Sequence, residues 1–172
     1  MKRRKLETLL LTLESTPSLL ARAAASLSQE ESRWKPEDGG FSLVENVWHL
    51  ADLEQEAYAV RIRRILTEQD PSLSNFDGDR VARERVYNER DLAEGLAVFS
   101  QSRARNIEIL RGLSRADWKR DAVQESVGRL SLEDIPRMMV EHDRSHTRDI
   151  RDLLAHLKDG LPLGDRPTSA VA

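Results

Sequence analysis

His142 and His146 stand four residues apart in the run Met138-Met139-Val140-Glu141-His142-Asp143-Arg144-Ser145-His146. A helix projects residues at that spacing from one face, a turn apart. A third histidine, His49, lies far upstream in Glu45-Asn46-Val47-Trp48-His49-Leu50-Ala51-Asp52. If a second helix carried His49 to the pair, the three imidazoles would form a facial set for a divalent cation. One coordination position would stay open, which is the arrangement of a reactive rather than a structural metal site. The chain contains no cysteine. Thiolate ligands and disulfides are therefore excluded, and any ion must be held by histidine, carboxylate or water.

The elements that must position these groups read as helices nearly throughout, with no convincing alternating strand. Leu6, Leu9, Leu10 and Leu13 begin a first helix, and Leu19, Leu20, Ala23, Ala24 and Leu27 continue it. Pro17 between them is expected to kink or restart the helix, with Thr16 as a possible cap. Ser28 to Phe41 reads as a connection. Ser42 with Glu45 forms a capping box that opens a second helix running to about Glu68. Residues 70–88 read as a long linker able to cover a pocket. A third helix is predicted from about Asp91 to Arg111, ended by Gly112. After a connection from Ser114 to Arg129, Ser131 is the expected N-cap of a fourth helix that continues to about Lys158 and stops at Gly160 and Pro162. The expected organisation is one all-α four-helix-bundle domain with long connections, residues 1–160, followed by a flexible tail, residues 161–172.

At about 100° per residue, Ile135, Met138, Met139, Ile150, Leu153 and Leu157 define the buried stripe of the fourth helix. His142 and His146 fall in the middle of that stripe, and Asp149 lies near it. Polar groups on a core face cost about 1–3 kcal/mol each unless partnered. A metal would supply partners, and so would hydrogen bonds among the histidines themselves. On the second helix Val44, Val47, Trp48, Ala51, Tyr58, Ile62 and Ile65 form the main apolar stripe. His49 lies off it, in line with Glu45, Asp52 and Glu56, on a line that faces either solvent or a polar pocket. Glu45, four residues before His49, and Asp149, three after His146, are candidates to orient a ligand imidazole or to assist catalysis. Asp52 and Glu141 are further candidates for a general base. His156 falls in the last helical turn, where the helix dipole favours a cation.

Composition narrows the partners. The 172 residues include 30 acidic and 27 basic side chains, for a net charge of -3. The two signs are interspersed, whereas a nucleic-acid footprint needs a basic stripe. No stretch is long and apolar enough to cross a bilayer, and Glu7 and Glu14 interrupt the apolar run that a signal peptide would need. A soluble cytoplasmic protein without nucleic-acid or membrane partners is expected.

The run Val44-Glu45-Asn46-Val47-Trp48-His49-Leu50-Ala51-Asp52, preceded by Gly39-Gly40-Phe41-Ser42 and followed much later by His142-Asp143-Arg144-Ser145-His146, resembles the DinB-like family of bacterial four-helix bundles, which includes the YfiT-type metal-dependent hydrolases. The likeness covers about residues 3–158. It implies a metal held by His49, His142 and His146, with zinc or nickel the usual ion, and a homodimer. It also implies a small-molecule substrate. Some relatives transfer low-molecular-weight thiols and others are presumed hydrolases, so the resemblance leaves a hydrolase and a thiol S-transferase both open. A non-catalytic, stress-related bundle with a structural metal or histidine network is the alternative.

Overall fold

The computed structural model describes residues 3–159. Four long helical runs carry it: α1 (Arg3–Ala25), α3 with its continuation α4 (Leu43–Asp52 and Ala59–Thr67), α6 (Leu92–Gly112) and α7 (Ile135–Asp159). Short helices α2 (Gln29–Arg33) and α5 (Gly78–Glu84) lie in the connections. Helix α1 packs on α6 and α7, and α3 packs on the same two partners. The first and second long helices therefore lie diagonally across the bundle, and α3 and α7 share a seam. That seam brings His49 to the His142–His146 face.

The expected capping box at Ser42 is present, with Ser42 Oγ accepting from the Glu45 N–H while Glu45 accepts from the Ser42 N–H. Asp91 caps α6 in the same sense, accepting from the Glu94 N–H. Between α3 and α4 the backbone widens into a π-helical segment, Leu53–Tyr58. Such bulges are rare and concentrate at functional sites. All ten residues of α3 are buried, so the line through Glu45, His49 and Asp52 faces the interior, while Glu56 is exposed.

Three expectations are corrected. Pro17 neither kinks nor restarts the first helix, which is continuous from Arg3 to Ala25. A proline leaves the carbonyl four residues earlier without its helical donor. Here that carbonyl is Leu13, and Arg103 Nη1 donates to it at 3.1 Å. Thr16 is not a cap, because its hydroxyl is buried and donates to Asp143 Oδ2 at 2.7 Å. Ser131 does not cap the last helix, which begins at Ile135. Its backbone N–H and its hydroxyl both donate to Asp134 in the turn before α7.

Short strands also occupy the connections. β1 (Ser72–Leu73) pairs parallel with β2 (Asp121–Gln124), which pairs antiparallel with β3 (Gly128–Ser131). Leu73, Ala122 and Leu130 turn inward and join the apolar core. The expected tail, residues 161–172, and its stop signals Gly160 and Pro162 lie outside the described residues. No described helix is long and apolar enough to cross a membrane.

The core has two apolar clusters. One gathers Leu10, Leu13, Ala57, Ile107, Val140 and their neighbours, and the other gathers Leu20, Leu50, Ala51, Phe99, Ile150 and theirs. On every long helix the boundary between them is polar: Thr16, Glu54, Arg103 and Asp143. Arg103 is 1% exposed. It donates to Glu54 at 2.9 Å and to both oxygens of Asp143 at 2.6 and 2.8 Å. Asn106 donates to the other Glu54 oxygen at 2.7 Å. Every charge in this layer is paired, which is the condition under which buried ions are tolerated. The histidines complete the layer on the α3–α7 seam.

Candidate metal centre

Helix α3 carries His49 and α7 carries His142 and His146 one turn apart. The Nε2 atom of His142 lies 3.3 Å from the Nε2 of His49 and 3.3 Å from that of His146. One ligand atom from each ring falls within 4.8 Å of the others, and among the described residues these three form the group that could hold an ion.

Hydrogen bonding fixes one tautomer. Asn46, one turn before His49, directs its Nδ2 at the carbonyls of Phe41 and Ser42, at 3.2 and 2.9 Å. That end must be the NH₂, so Asn46 Oδ1 faces His146 Nδ1 at 2.7 Å as an acceptor. His146 Nδ1 must therefore carry the proton, and its Nε2 presents a lone pair to the centre. Nδ1 of His49 and Nδ1 of His142 are buried without partners. Protein hydrogen bonds alone thus leave the trio incompletely satisfied.

The donor set fits a cation. Zinc–imidazole bonds are about 2.0–2.1 Å, so two nitrogens on a tetrahedral ion lie about 3.3–3.4 Å apart. The two separations from His142 match that edge, and the third lies within 4.8 Å. Burial first, then the neighbouring His142, pushes the His49 pKa down to about 4. Burial, then His142 and His49, pushes His146 to about 2. His142 is also lowered by burial, with Asp143 opposing. All three are neutral near pH 7, as metal ligands must be.

The segment 70–88 closes over His49. Phe41 and Phe76 tilt against its ring at centroid distances of 5.5 and 6.0 Å. Gly78 approaches so closely that a Cβ there would lie 2.3 Å from His49 Cε1 and 2.6 Å from Nδ1. Only glycine fits at that approach. Asn46 and Gly78 are the site residues that sequence reasoning missed. For Asn46 a signal existed: it stands three before His49 and so shares its face.

None of the four carboxylate candidates is hydrogen-bonded to a ligand imidazole. Glu45 is bound to the Ser42 N–H and to Lys35 Nζ, the latter at 2.7 Å, rather than to an imidazole. Asp52 accepts from Arg85 at 2.5 Å and from the Tyr87 hydroxyl. Asp149 makes no hydrogen bond to a ligand ring. It lines a cavity of about 330 Å³ with His146, Asp38, Asp79 and Asp152. Burial, then Asp152, raises its pKa. Glu141 is exposed at the rim of a second cavity, of about 590 Å³, lined by His49 and His142. His156 lies away from the trio, stacked on Trp34 at 5.0 Å.

Fold and site define a class: helical bundles with three histidines gathered on the seam between the second and fourth long helices, which pack side by side. The chain belongs to the DinB superfamily, whose model matches residues 12–150. A relative from Bacillus licheniformis, provisionally named a metal-dependent hydrolase, is 28% identical over 90% of this chain and 86% of its own length. YfiT of Bacillus subtilis, under the same provisional name, is 25% identical over 82% of this chain and 79% of its own. The solved structure of YfiT, described as a probable metal-dependent hydrolase with an unusual four-helix bundle topology, matches with a TM-score of 0.84 at 23% identity, covering 92% of this chain and 90% of that one. The fold is therefore that of the YfiT bundle.

Proposed function

We propose that the protein is a metal-dependent hydrolase of small molecules whose ion is held by His49, His142 and His146. The observation that carries this reading is the convergence of three neutral imidazole nitrogens, 3.3 Å apart across His142, with no fourth protein ligand gathered among the described residues. Two cavities reach the ring trio, one lined by His146 and the other by His49 and His142, so a reacting molecule has access to a coordination position that the protein leaves free. The provisional names of the relatives point the same way. A divalent ion such as zinc or nickel bound by neutral ligands keeps its full charge, and supplies Lewis acidity that brings a water or thiol pKa to the neutral range.

The chain's own residues do the rest. Asn46 holds His146 in the tautomer that points Nε2 inward. Phe41, Phe76 and Gly78 keep bulk water from His49. Glu141 on one cavity wall and Asp149 on the other are the carboxylates placed to accept a proton from an incoming nucleophile, and the raised pKa of Asp149 suits that role.

The test is a panel of small esters, amides and lactones, with cellular thiols plus electrophiles in parallel. Metal-loaded and metal-stripped protein are compared. Metal-dependent hydrolysis that disappears in His142→Ala is expected. Turnover only in the thiol arm would replace hydrolysis with thiol transfer. Tight metal binding with no turnover in either arm would make the site structural.

A further inference from the structure

The cavity beside His49 and His142 contains an arginine that no described residue neutralises. Arg61 is 7% exposed. Its Nε has no partner. Among the described residues its one hydrogen bond is a long one, Nη2 to the Ser74 carbonyl at 3.4 Å. The guanidinium lies 5.7 Å from the Tyr58 ring, and it forms no ion pair among the described residues. Arg103, which is more deeply buried, has two carboxylates and a carbonyl. A buried cation without a counter-charge is costly, and burial pulls the Arg61 pKa below its ordinary value.

The surroundings indicate what the counter-charge is. Arg61 lines the 590 Å³ cavity together with His49, His142, Tyr58, Asn75 and Gln124. Gln124 Oε1 is also buried without a partner. The charged group of opposite sign on that wall is Glu141, which is exposed and so screened by solvent. The other approach to the histidines is lined by Asp38, Asp79, Asp149 and Asp152, and would repel an anion. The π-helical segment makes the placement possible. In an uninterrupted helix His49 and Arg61 would point about 120° apart, whereas here both reach one cavity.

We propose that Arg61 anchors a compact oxyanion of the substrate, a carboxylate or a phosphate, in the cavity that opens on the histidine centre. The substrate class is then a small anionic molecule whose charged end pairs with the guanidinium fork while its reacting group reaches the space between His49 and His142. This assignment rests on the metal-site reading for its reacting end, but the anion pocket belongs to the protein alone.

The test therefore uses metal-depleted, full-length protein. Isothermal titration compares glutarate, inorganic phosphate and the neutral diamide glutaramide. Glutarate or phosphate is expected to bind at least about tenfold tighter than glutaramide, and the tighter of the two assigns the head group. Arg61→Gln is expected to erase the preference. An Arg61 Nε–H signal that shifts on saturation of the wild-type protein supports the assignment without relying on the variant's folding. Equal binding of acid and diamide, no anion binding, an unmoved signal, or a folded Arg61→Gln that keeps the preference would each overturn it. Zinc uptake is measured separately. Anion binding without zinc uptake defeats the metal reading alone, and zinc uptake without anion binding defeats this one alone.

Discussion

Replacing Asn46 with leucine should weaken metal binding without touching a ligand. In the folded protein Asn46 Oδ1 accepts from His146 Nδ1 at 2.7 Å, and its Nδ2 is held by two carbonyls. Leucine removes the acceptor, so His146 can take either tautomer and rotate. Loss of such a partner typically costs 10–100-fold in metal affinity, or about 1.4–2.8 kcal/mol at 1.4 kcal/mol per tenfold. The Phe41 and Ser42 carbonyls also lose a donor, which lowers fold stability by about 1–3 kcal/mol. The two effects separate by assay. Urea denaturation of the apoprotein reads the stability loss. Competition against a chromophoric chelator, on protein shown to be folded, reads the affinity loss. A folded Asn46→Leu protein that binds zinc as tightly as wild type would refute the tautomer argument.

Other perturbations probe neighbouring parts of the site. Arg103→Met leaves Glu54 and Asp143 buried without their cation and should cost about 3–5 kcal/mol in urea unfolding; a loss below 1 kcal/mol would contradict the paired-layer account. Gly78→Ala places a Cβ 2.3 Å from His49 Cε1, so zinc affinity should fall at least tenfold while the circular dichroism spectrum is retained. For the metal-free protein, the pH dependence follows from His49. Its folded-state pKa of about 4 lies below the unfolded value of 6.5, so the unfolded chain takes up a proton first. Stability should fall as the pH drops from about 6.5 to about 4, by about 3 kcal/mol from this residue at 1.36 kcal/mol per unit; the His49 contribution levels off below that, while His146, pushed down to about 2, continues the decline. A flat profile over that window in chemical denaturation would count against a buried, neutral His49.

The sequence spoke clearly where a pattern was long. Helical periodicity and the Ser42–Glu45 capping box located the second helix, and the four-residue spacing set His142 and His146 on one face. It was silent where a tertiary partner decides. Pro17 looked like a break because its rescuer, Arg103, lies on another helix. The strands were invisible, since runs of two to four residues are too short for alternation to register. Ser131 and Asp134 carried a helix-start signature, but the pair serves the turn that leads from β3 into α7. A π-helical segment has no composition cue, so the direction of Arg61 could not be read from the sequence. Glu45 and Asp149 were chosen for helical distance from a ligand, yet Asn46 makes the contact, because the amide's own two donors lock its oxygen onto His146.

The central claim is that three imidazoles from two helices hold one divalent ion. It is tested most directly by elemental analysis of protein purified without a His tag, before and after incubation with zinc or nickel, with His142→Ala and His146→Ala alongside. About one ion per chain, lost in both variants, is the predicted result. A stoichiometry near zero with no uptake of added metal, or undiminished binding in either variant, would contradict it.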